Sequence, residues 1–166
     1  MLKKTAAISA SSLVILALCT PAAWAARDAS SVINIQAEIP TKVFHAMPVD
    51  PEFGKDEVMN YNPVSGTLNS LSQMYNVKNT DGSVHAYIEG GPVPLFNGNF
   101  EENIALTTTF NGVVLTGTAQ EVVSDDASTP GTQANMVITA ATPAASAAGL
   151  YTAAYTVIFD NVPRVP

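Results

Sequence analysis

The chain has 166 residues, 47% hydrophobic and only 13% charged, with 14 acids against 7 Lys and Arg and a formal net charge of −7. A surface of that sign repels phosphate backbones and anionic lipid, which excludes nucleic acid and membrane surfaces as natural partners and suits solubility. A single cysteine, Cys19, excludes an internal disulfide, so stability must come from packing and backbone pairing, or from another chain.

At the N-terminus Lys3 and Lys4 precede an apolar stretch from Ala6 to Leu18, and the small-residue pattern Ala23-Trp24-Ala25 follows. This pattern predicts a secretory signal peptide over residues 1–25, and its apolar core is shorter than the roughly 20 residues a spanning helix needs. Lipidation at Cys19 is disfavoured because Leu18 stands where the processing enzyme needs a small side chain. Cleavage after Ala25 removes the only thiol and leaves Arg27, Lys42, Lys55, Lys78 and Arg164 beside the 14 acids.

The segment 26–40 ends in Ser31-Val32-Ile33-Asn34-Ile35-Gln36-Ala37-Glu38-Ile39-Pro40. In an extended strand Ile33, Ile35, Ala37 and Ile39 share one face and Asn34, Gln36 and Glu38 the other. Burying three isoleucines and an alanine contributes roughly 5 to 9 kcal/mol before the cost of ordering. Pattern alone favours an ordinary first strand in its own sheet over a strand that docks elsewhere.

From residue 41 to 166 apolar residues alternate or form short β-branched runs, with Gly, Asn, Asp and Pro between them, and this predicts a single all-β domain. Strands are expected at Lys42 to Val49, Val58 to Tyr61, Gln73 to Lys78, Val84 to Ile88, Asn103 to Phe110, Val113 to Thr116, Gln120 to Val123, Ala134 to Ala140 and Leu150 to Asp160. Asn111-Gly112 reads as a type I′ hairpin turn, because both residues accept positive φ. Asp81-Gly82 marks a second turn with a longer loop. The stretch Ala140 to Gly149 is alanine-rich, yet Pro143 and its shortness predict a loop. Strands of this number and spacing predict a β-sandwich.

Chemistry-bearing patterns are sparse. His45 and His85 have no Cys or carboxylate at metal-ligand spacing and read as half-exposed strand residues. Glu101-Glu102 and Asp125-Asp126 are adjacent pairs expected to face water, not carboxylates converging on a substrate. Val77 to Gly82 fails as a calcium loop, since Val77 takes the first ligand position and the terminal Glu is absent. No nucleophile elbow or phosphate-cradling glycine loop occurs. The expectation is therefore no enzyme, no catalytic residue, no metal and no cofactor. A secreted carbohydrate-binding or adhesin domain is the alternative, with Tyr61, Tyr75, Tyr87 and Phe96 as its aromatic candidates.

From Ile33 to Phe159 the chain resembles the major-subunit pilins of the colonisation-factor-antigen type, the alpha class of chaperone–usher fimbriae that includes cable pili. The opening strand Ile33-Asn34-Ile35-Gln36-Ala37-Glu38-Ile39-Pro40, the mid-chain Asn111-Gly112 turn, Ile138-Thr139-Ala140-Ala141-Thr142-Pro143, and Gly149-Leu150-Tyr151 through Phe159 carry that resemblance. The chain lacks the usual Asp before the strand-ending proline and extends through Val162-Pro163-Arg164-Val165-Pro166.

The resemblance implies an incomplete immunoglobulin-like sandwich, completed by a donor strand from a neighbouring subunit. It implies export through the periplasm, with a periplasmic chaperone covering the groove and an outer-membrane usher assembling identical or related pilin subunits into a surface fimbria. Receptor binding is then left to a separate tip adhesin. Under this implication residues 26–40 form the donor segment, with Ile33, Ile35, Ala37 and Ile39 as its knobs. The last strand offers an aromatic face, Tyr151, Tyr155, Val157 and Phe159, as acceptor groove. Its opposite face carries Ala154, Thr156 and Ile158.

Overall fold

The computed structural model describes residues 33–39 and 42–165. The signal segment 1–25 and residues 31, 32 and 40 of the N-terminal strand lie outside the described residues. One compact unit begins at Glu38 and a separate unit ends at Ala37.

The larger unit carries ten strands: β1 (Phe44–Pro48), β2 (Tyr61–Asn62), β3 (Thr67–Leu68), β4 (Leu71–Asn79), β5 (Gly82–Ile88), β6 (Leu106–Phe110), β7 (Val113–Val114), β8 (Gln120–Val123), β9 (Thr132–Ala140) and β10 (Val157–Pro163). They form one antiparallel sheet in the order β1-β4-β9-β6-β7, a second in the order β10-β5-β8, and the small hairpin β2-β3. The core lies between the two larger sheets because alternation sends every second side chain inward. Tyr75 and Val77 of β4, Val84, Ala86 and Ile88 of β5, Phe110 of β6 and Ala134 and Met136 of β9 are all buried there. Tyr75, Phe110 and Phe159 form its aromatic centre, with ring centroids 4.9 to 5.7 Å apart.

The hairpin at Asn111-Gly112 has φ of 51° and 82°, the two positive values that a type I′ turn requires. The second turn differs from expectation. β4 runs to Asn79 and β5 starts at Gly82, so Thr80 and Asp81 alone make a tight connection. The Asn79 side chain holds it, accepting from Asp81 N–H at 3.0 Å. Gly82 is needed for a different reason: a Cβ there would lie 2.1 Å from the Val162 carbonyl oxygen, so β10 runs against bare backbone.

Two short helical turns were not expected, Phe100–Glu102 and α1 (Asp125–Ser128). Asp125-Asp126 stands at the start of α1, where carboxylates oppose the positive helix end. Residues 58–60 carry no strand, and pairing begins only at Tyr61. The last strand also starts late, at Val157 instead of Leu150, and runs on to Pro163. Its potential partner is interrupted by Gly90 and Gly91, with φ of 76° and 88°, and then by Pro92 and Pro94, which have no N–H to give. Pairing survives there only as a bridge between Phe96 and Thr152.

Candidate functional site

β10 is the edge of its sheet, and among the described residues no strand pairs with its outer side. Backbone bonding along the whole terminal segment keeps one parity. Phe96 N–H bonds Thr152 O at 2.9 Å, Glu89 N–H bonds Thr156 O at 3.0 Å, and Arg164 N–H bonds Asp81 O at 2.7 Å. Even-numbered residues therefore use their backbone groups on the β5 side. Odd-numbered ones in β10, Val157, Phe159 and Asn161, turn theirs toward the open edge, because bonding direction alternates along an antiparallel strand, and the bonded positions Thr152 and Thr156 upstream keep the same parity. The odd side chains Tyr155, Val157 and Phe159 also pack against the core.

Beside this edge lies a cleft of about 1050 Å³. Leu71 and Tyr75 of β4, Leu106 of β6 and Met136 and Ile138 of β9 form its floor. Residues 53–59 with Tyr61 and Leu68 form one wall, and residues 147–157 the other. Of the four residues expected on an acceptor face, Tyr151, Tyr155 and Val157 line the cleft. Phe159 lies deeper, against Phe110 and Tyr75. Sequence reasoning missed the floor entirely. Its residues come from three strands that become neighbours only through sheet order, and the only trace in the sequence is their alternation.

Three tyrosines at this site carry polar groups. Tyr155 Oη lies 2.8 Å from Thr108 Oγ1 on β6, and burial raises the Tyr155 and Tyr75 hydroxyl pKa above the ordinary phenol value. Tyr151 Oη is shut off from solvent and has no hydrogen-bond partner among the described residues.

In the N-terminal segment, Ile33, Ile35 and Ile39 are 77%, 88% and 89% exposed, and Ala37 is exposed as well. Residues 33–39 belong to none of the ten strands. An alternating apolar face is thus presented to water by backbone that has no ladder partner among the described residues.

The aromatics considered for a carbohydrate site share no surface. Tyr75 is buried in the core, which corrects the expectation that it is exposed. Tyr87 alternates with the buried Ala86 and Ile88 and faces outward, Tyr61 sits on the β2 hairpin, and Phe96 stacks on Phe100 at 4.8 Å. His45 lies on β1 and His85 on β5, in different sheets. Among the described residues no group of three or more His, Cys, Asp or Glu is placed to hold a metal. Asp125, expected to face water, lies at the surface and takes two hydrogen bonds from Arg164 there.

The described residues thus form an all-β sandwich with an unpaired edge at β10 and a large cleft beside it. Residues 29–160 match the family model of the CS1 type fimbrial major subunit, and the chain belongs to that family. It is a structural fimbrial subunit of immunoglobulin-like fold, not an enzyme, and it assembles with other pilin subunits into surface fimbriae. Among solved structures it is similar to the CooA pilin subunit from enterotoxigenic Escherichia coli, with a TM-score of 0.50 and 17% identity over 70% of this chain and 86% of that one. No curated protein matches.

Proposed function

We propose that the cleft beside Tyr151–Val157 is an acceptor site for residues 33–39 of a second copy, so that subunits polymerise by donor-strand exchange. The observation that carries this reading is that one chain holds both halves of the contact. It has an exposed alternating face at Ile33, Ile35, Ala37 and Ile39, and an apolar cleft under an edge with free backbone groups. Strand addition draws affinity from ladder bonds, about 0.5 to 1.5 kcal/mol each, and register from pockets for alternate side chains. Donating one surface and accepting on another is a heterologous contact, which yields an open filament.

On this reading residues 1–25 direct export through the periplasm and are removed. An open cleft of this size with an apolar floor is an aggregation hazard until filled, so a periplasmic chaperone covers it before an outer-membrane usher passes the subunit to its neighbour. Receptor binding then belongs to a separate tip adhesin.

The test is purification of the mature chain with and without residues 26–40, followed by thermal melting and titration with a peptide spanning 31–40. The expected result is a truncated domain of low stability whose cooperative melt returns with the peptide, and not with a peptide carrying Ile35→Asp. A truncated domain that melts cooperatively by itself and ignores the peptide overturns the reading.

A further inference from the structure

Resting on the donor-strand reading, we propose a single register for the exchanged strand: antiparallel to the terminal segment, with Ile33 opposite Phe159, Ile35 opposite Val157, Ala37 opposite Tyr155 and Ile39 opposite Ala153. Parity comes first. The free backbone groups and the core-facing side chains of the terminal segment both belong to odd-numbered residues. Directly opposite residues of an antiparallel pair share a face. The four knobs must therefore stand opposite odd-numbered residues, and registers can differ only in steps of two. Pro40, having the other parity, would turn its missing N–H away from this edge, where proline removes no bond.

Side-chain size selects among the remaining registers. In the proposed one the only small knob, Ala37, meets Tyr155, one of the two tyrosines of the lining face. The large Ile39 meets Ala153, which is exposed in the cleft. Large against small at facing positions is how layers interdigitate without voids. Sliding the donor two residues one way sets Ala37 against Ala153, leaving a gap, and crowds Ile39 onto Tyr151 and Ile35 onto Tyr155. Sliding it the other way sets Ile39 against Tyr155 and Ile33 against Asn161. The Asn161 side chain already accepts from Asn79 Nδ2 at 2.8 Å, so that position is polar and occupied.

Cysteine pairs read the register directly, because Cys19 is the only natural cysteine and lies in the expected signal segment. Directly opposite bonded residues have Cα atoms about 5.5 Å apart, within disulfide range, whereas a shift of two residues moves them beyond about 8 Å. Full-length chains carrying I39C with A153C, I39C with Y151C, or I39C with Y155C are expressed with their natural export and assembly, and filaments are run on non-reducing gels. The proposed register gives a reducible covalent ladder with A153C and at least tenfold less with either neighbour. A ladder strongest with Y151C or Y155C overturns the register and leaves donor exchange standing. Filaments without a ladder in any of the three overturn the register, and a disulfide confined to the monomer overturns donor exchange itself.

A size swap decides the matter should cysteine variants not assemble. A37L lowers filament yield at least tenfold, and adding Y155V restores it. Unchanged yield with A37L, or no rescue by Y155V, overturns the register.

Discussion

Tyr155, in the stretch leading into the last strand, lies with its hydroxyl 2.8 Å from that of Thr108 on β6 in the opposite sheet. Thr108 is 2% exposed, so this bond clasps the cleft wall to its floor and leaves neither hydroxyl orphaned. Tyr155→Phe leaves the Thr108 hydroxyl buried without that partner, and stability measured by urea unfolding is expected to fall by about 1 to 3 kcal/mol.

The same burial sets an alkaline limit. Desolvation raises the Tyr75 and Tyr155 pKa in the folded chain above 10.0. Their neutral forms are therefore favoured by folding, and that contribution is complete below the unfolded pKa and lost as pH rises through the folded one. Ultraviolet titration is expected to show these two tyrosines ionising above the ordinary phenol range, together with a loss of stability above about pH 10. Double replacement by Phe removes the slow-titrating fraction.

Asp125 sets an acid limit of opposite sign. Hydrogen bonds from Arg164 hold its carboxyl well below the usual carboxylate range, at about 2. Stability from this pair is present above the unfolded value and lost as pH falls through about 2. Carboxyl NMR titration is expected to place Asp125 well below the ordinary carboxylate range. Asp125→Asn flattens the dependence of melting temperature on pH between about 4 and 2.

Gly82→Ala tests how closely β10 approaches β5. The added Cβ would fall 2.1 Å from Val162 O, 2.7 Å from Arg164 N and 2.9 Å from Pro163 C, all backbone atoms. The strand end must move, costing about 2 to 5 kcal/mol. Hydrogen exchange is expected to quicken at the end of β10 more than at its start.

Tyr151→Phe tests the unpaired hydroxyl in the cleft. Its Oη has no partner among the described residues and no access to water, so removing it relieves a buried unsatisfied group, worth about 1 to 3 kcal/mol. The melting temperature of the variant is expected to equal or exceed that of the natural chain.

Local features were legible because their physics is local. Asn111-Gly112 announced a turn that any β chain would make there, since two residues alone supply its positive φ angles. Alternation located most strands, including β5, whose inward residues Val84, Ala86 and Ile88 are all buried. Gly82 was read as a turn residue. Its actual constraint, the Val162 backbone, lies in a strand whose arrival no local pattern announces. Likewise Leu150 to Thr156 has strand composition but loses its ladder to Gly90, Gly91, Pro92 and Pro94, which oppose it only after folding.

By itself the sequence determined the class, the all-β pattern, the alternating apolar face from Ile33 to Ile39 and the family resemblance, because these rest on residue order and period. Only the tertiary structure decided that Leu71, Leu106, Met136 and Ile138 converge beneath Tyr151 and Tyr155, and that β10 has an unpaired edge among the described residues. Those facts depend on which strands neighbour one another, and that is chosen by burial summed over the whole chain, not by any segment's own preference.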